Sequence, residues 1–170
     1  MHDRHIDAPY CALPNPSELL CALRGQFLRN AVCRMAHDLT EVHHCLLVDE
    51  SRADRMRPRR RRIVAEIDSW ADLNLARSAV GARAHIETLG QTIDHIAAAA
   101  ATAFHVLNTD DPAGILMHRH WTRLAELEVA YGDLVRDIRD GRRYLPTART
   151  ARPPVSIAAG HECGWNRTPA

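Results

Sequence analysis

The apolar side chains of this 170-residue chain recur every three or four positions, and no segment of any length alternates in pairs. Successive residues on an α-helix turn by about 100°, so that spacing gathers the apolar groups on one face. Val32, Met35, Leu39, Val42 and Leu46 make one such stripe and predict a helix over 29–49. Ile63, Val64, Ile67, Trp70 and Ala71 make a second, over 58–76, with Pro58 suited to the first helical position. Leu89, Ile93, Ile96, Ala100, Phe104 and Leu107 make a third, opened by Thr88 and Gln91 at the spacing of a capping box. The fourth stripe is Leu116, Leu124, Leu127, Tyr131, Leu134, Val135 and Ile138. It predicts a helix over 112–140, with Asp111 as cap, Pro112 as first residue and Gly141 as stop. Ser17 is placed to cap a shorter helix running to Arg24 and ended by Gly25.

Four amphipathic helices with short connections predict an all-α fold, specifically an antiparallel up-down four-helix bundle with a short extra N-terminal helix. The alanine run 97–101 leaves small residues on nearly every side of the third helix, which places it near the middle of the packing. Residues 1–16 carry three prolines and read as a flexible segment, 17–146 as a single helical domain, and 147–170 as a disordered tail.

Composition narrows the function classes. All 22 basic residues are arginine, and against 21 acids they leave a net charge of +1. A dedicated nucleic-acid binder carries a clear basic excess, so the balance argues against that class. No apolar run approaches the ~20 residues needed to span a bilayer. The first residues lack the apolar core of a secretion signal. The five cysteines, at 11, 21, 33, 45 and 163, form no C-x-x-C pair and do not resemble a disulfide framework or a zinc ribbon. These features together predict a cytoplasmic protein with free thiols that pack as small hydrophobes.

Several stretches share order and content with a known family. They are RMAHDLTEVH at 34–43, RRIVAEIDSW at 61–70, HIETLGQTIDHI at 85–96, AFH at 103–105 and MHRHWTRLAELEVAYGDLVRDIRDGRRYLP at 117–146. On these segments the chain resembles the bacterial DUF4254 family. It departs from the family at Asp94-His95, where members often have Asp-Arg, and in its arginine-rich second-helix start. The resemblance implies an all-helical bacterial protein and carries over no catalytic residue.

Candidate chemistry rests on polar residues within or beside the apolar stripes. His43 lies between Leu39 and Leu46, and His120 lies between Leu116 and Leu124. Counting ~1.5 Å per residue in an up-down bundle puts both near one end, with Glu66 at similar depth and His105 at the rim. His43, Glu66, His105 and His120 are therefore the candidate catalytic cluster, able in principle to hold a zinc-like ion or to serve as acid and base. The same counting places Asn74, Glu87 and Asp94 at the opposite end. His37, Glu41 and His44 fall on the polar face of the first helix, as a solvated surface. Arg59 and Arg60, within the run Arg57-Pro-Arg-Arg-Arg-Arg62, are the candidate anion-binding residues, since arginine offers a forked donor for phosphate or carboxylate. No metal site and no cofactor is specified by any motif.

Two readings stay open. One is a helical bundle acting by protein–protein interaction or self-association, with Trp70 and Trp121 as anchors. The other is a small metal-dependent or acid/base enzyme acting on an anionic, phosphate-bearing molecule through the histidine cluster.

Overall fold

A computed structural model of the chain describes residues 13–75, 80–109 and 114–147. Its elements run in the order α1 (Pro16–Leu23), α2 (Ala31–Val48), a 3₁₀ turn (Glu50–Arg52), α3 (Ala53–Asn74), β1 (Arg83–Ala84), α4 (Leu89–Thr109), α5 (Ile115–Arg139) and β2 (Arg143–Tyr144). The chain is mostly helical, as the periodicity predicts.

Local chemistry explains where the helices begin, and in three places it differs from the expectation. The cap of α1 is Asn15 rather than Ser17. The Asn15 side chain accepts from Glu18 N at 2.9 Å, and Asn15 N donates to the Glu18 carboxylate at 2.9 Å. Asn15 thus has both a glutamate three residues on and Pro16 at the first helical position, whereas Ser17 has neither. Helix α3 begins at Ala53, so Pro58 lies inside it. Asp49 explains the early start, because its carboxylate accepts from Ser51 N at 3.1 Å and seeds a 3₁₀ turn that runs straight into the helix. A proline so near an exposed helix start removes one hydrogen bond, to the Asp54 carbonyl, and costs less than it would mid-helix. Helix α5 begins at Ile115 after Gly114, which makes no side-chain cap. Asp111, Pro112 and Ala76 lie outside the described residues.

The remaining boundaries follow the sequence. Asn30 caps α2 by accepting from Val32 N at 2.7 Å. Thr88 and Gln91 form the reciprocal pair that opens α4, at 3.2 and 3.0 Å. Gly25, at φ 79°, takes the left-handed conformation that ends α1. A two-residue parallel pairing of Arg83–Ala84 with Arg143–Tyr144, absent from the periodicity, ties the approach to α4 to the chain leaving α5.

Helix α4 is central, packing on α2, α3 and α5, while α1 closes over α2 and α5. Ala97, Ala100, Ala101 and Ala103 are all buried and let the neighbouring helices come close. On α5, Met117 is buried where the stripe predicts Leu116, which is exposed. The N-terminal segment is anchored at its described end. Leu13 is buried, and the buried Tyr131 hydroxyl donates to the Pro14 carbonyl at 2.8 Å. The rest of that segment, 1–12, and the predicted tail from 148 onward lie outside the described residues, with Cys11 and Cys163. Cys21, Cys33 and Cys45 are free thiols, and burial pushes the Cys33 thiol up. Among the described residues no helix is long and apolar enough to cross a membrane.

Candidate functional site

The main polar feature of the interior joins three helices at one carboxylate. Asp94, on the buried face of α4, has a side chain only 6% exposed. His43 of α2 places Nε2 at 2.8 Å from its Oδ1. Arg60 of α3 donates from Nε to Oδ1 at 2.8 Å and to Oδ2 at 3.0 Å, and from Nη2 to Oδ2. Burial opposes the charge on Asp94, but the hydrogen bonds from His43 and Arg60 outweigh it and hold the carboxyl at about 2. An ionised carboxylate only accepts, so His43 Nε2 carries the proton of that bond. The hydrogen bond to Asp94 in turn raises Arg60 above the ordinary arginine value.

A second buried carboxylate works differently. Asp68 of α3 accepts from Gly90 N in the first turn of α4 at 2.7 Å. Burial is the largest influence and pushes its carboxyl up, opposed by the bonds from Gly90 and Thr88. The contact needs glycine at position 90. A Cβ there would lie 2.4 Å from the Val64 carbonyl oxygen and 2.8 Å from Asp68 Oδ1.

The four candidate catalytic residues are dispersed by comparison. His43 is bound to Asp94, as above. Glu66 is exposed and faces Arg62 at 3.5 Å, one turn back on the same helix. His105 lies 5.9 Å, ring centre to ring centre, from His44. His120 is half-buried on α5, next to Trp121, which packs against Phe104. Among the described residues no three His, Cys, Asp or Glu side chains are grouped so as to hold a metal ion. Of the two anion-binding candidates, Arg59 reaches Asp38 at 3.8 Å, and Arg60 turns inward to Asp94.

One expectation is corrected here. Asp94 is not at the far end from His43 but in direct contact with it. Asp94 meets His43 and, eleven residues further along α4, His105 meets the adjacent His44, so depth counted along the helix axes does not decide which side chains meet. Of the three residues expected on a solvated face, Glu41 and His44 are exposed and His37 is half-buried, all beside a cleft between α1, α2 and α4.

The family model described as "Protein of unknown function (DUF4254)" matches residues 33–147. The chain belongs to the DUF4254 family. No curated protein and no solved structure matches it. In this DUF4254 member the His43–Asp94–Arg60 junction and the Asp68–Gly90 contact both lie inside the matched span. Helix α1 and Arg24 after it lie before that span.

The junction's chemistry is that of a tie. Arg60 balances the Asp94 charge and His43 takes the remaining lone pair, so the polar atoms of a buried carboxylate are matched on three helices at once. The signal for it was partly present in the sequence. Asp94 follows Ile93 on a face otherwise made of Gly90, Ala97 and Ala101, a place where an unpaired carboxylate would be costly.

Proposed function

We propose that this DUF4254 member is a non-enzymatic scaffold of bacterial cytoplasm that acts by self-association. The observation carrying this reading is a groove of ≈ 460 Å³ between α2 and α3, lined chiefly by Ala31, Met35, Ala65, Trp70 and Leu73. Leu73 is 85% exposed there, an unusual position for a leucine flanked by a tryptophan. The occupant we assign is a second copy of the chain. Arg62 and Glu66 stand one turn apart at the groove's edge, so a two-fold axis crossing α3 sets each opposite its counterpart's opposite charge. The resulting contact has a central apolar anchor and a charged rim, the usual anatomy of a specific interface.

The helix arrangement that accompanies this reading is an up-down one in which consecutive helices are antiparallel. Its support is residue pairing. Asp38 meets Arg59, while Ala31 shares the groove with Ser69 and Leu73. Likewise Arg60 meets Asp94, while Val64 and Asp68 meet Gly90.

Light scattering after size exclusion tests the proposal. The wild-type chain is expected to run as a dimer at about 100 μM, and Leu73→Arg as a monomer with an unchanged far-UV spectrum. A wild-type monomer at that concentration, or a dimer indifferent to Leu73→Arg, overturns it.

A further inference from the structure

A second cleft, of ≈ 430 Å³, lies where α1 and the middle of α2 meet the C-terminal half of α4. That volume falls within the range of small-molecule sites, about 300–1,000 Å³. Its wall combines an apolar side, including Phe104 and Leu107, with Arg24, His37, Glu41 and His44. Arg24 follows the end of α1, and its guanidinium sits over the Phe104 ring at 5.2 Å and the Trp121 ring at 5.5 Å. The aromatic faces hold the cation in place, yet among the described residues it forms no ion pair with a carboxylate. Glu41 forms none with a cation either. One cleft thus presents a positive and a negative group that do not neutralise each other.

We propose that this cleft binds a zwitterionic amino acid with an apolar side chain. Its carboxylate meets Arg24, its ammonium meets Glu41, and its side chain lies against Phe104 and Leu107. A simple anion is disfavoured by Glu41 and a simple amine by Arg24, so each charge in the cleft selects against a ligand bearing only one. This site shares no residue with the α2/α3 groove and stands whether or not the chain self-associates.

The test is a titration of L-phenylalanine into the isotope-labelled full chain, followed by backbone amide shifts of α2 and α4. Saturable one-to-one binding with Kd of about 1 mM or tighter is expected. Phenylacetate and phenethylamine, each lacking one charge, are expected to bind about tenfold more weakly, as is L-phenylalanine to Arg24→Gln and to Glu41→Gln. Far-UV spectra of both variants check that the fold is kept, and the ligand series on the wild type decides the matter if a variant does not fold. Absence of saturation at about 10 mM L-phenylalanine overturns the proposal. So does phenylacetate or phenethylamine binding as tightly as L-phenylalanine, or folded variants that bind it like the wild type.

Discussion

Asp94 makes a quantitative demand on the stability of this fold as pH falls. Its carboxyl is held at about 2 against an ordinary 3.8, and it is buried enough for the difference to be felt in folding. At about 1.4 kcal/mol per pH unit, the folded state gains about 2 kcal/mol from this one ionisation. Because the folded value is depressed, that stabilisation is complete above the unfolded value and is lost as pH falls through the folded one. The window runs from about pH 4 to about pH 2, with about half of the effect gone by pH 3. Asp94→Asn keeps the size but removes the charge that Arg60 and His43 meet. At pH 7 it is expected to cost about 3 kcal/mol, the scale for breaking a buried charge-assisted network whose arginine is partly in water. Urea unfolding followed by circular dichroism, repeated from pH 7 downward, gives the gap between wild type and variant. That gap should be flat to about pH 5 and then close by about 1 kcal/mol at pH 3. A gap that stays constant down to pH 3 would refute the reasoning, because it would mean that Asp94 loses its proton as easily in the unfolded chain as in the folded one.

Asp68 predicts the opposite sign. Burial raises its carboxyl, so its contribution is fully favourable below the ordinary 3.8 and is lost as pH rises through the raised value. Asp68→Asn keeps an oxygen to accept from Gly90 N, and the variant should match or exceed wild-type stability at pH 7, with the advantage vanishing below about pH 4. A variant as damaged at pH 7 as Asp68→Ala would contradict this. At position 90, alanine gains about 1 kcal/mol of helix propensity over glycine. It also places a carbon 2.4 Å from a backbone oxygen of α3, which cannot swing aside. The clash should win, with Gly90→Ala losing about 3 kcal/mol net and about 10 °C in Tm by calorimetry.

The parts of the fold that were legible in the sequence are those decided by neighbours along the chain. The Thr88–Gln91 box opens α4 where its spacing predicts, and the stop glycines Gly25 and Gly141 both adopt positive φ. The central position of α4 followed from alanines that leave it bare on several sides. The start of α3 is hidden by Pro58, a strong local signal for a first helical residue that here lies inside the helix. The Asp49 cap and its 3₁₀ turn, a weaker pattern, begin the helix before that signal is reached.

The candidate site was less legible because its geometry depends on which side chains meet between packed helices, which one-dimensional spacing does not encode. Periodicity places His43 on an inward face, and the structure buries Asp94 on one as well. Which residues meet across two inward faces depends on how closely the backbones approach and at what angle. Here small residues decide that approach. Gly90 lets the start of α4 press on the Val64 carbonyl, and the buried alanines beyond it let α4 pack closely, so Asp94 arrives between His43 and Arg60. The carboxylate and the small residues are therefore one feature. Enlarging Gly90 would shift α4 and loosen the Asp94 junction one turn away, so the stability losses in Gly90→Ala and Asp94→Asn should not add. A double variant that loses the full sum of the two would mean the junction forms independently of the close approach.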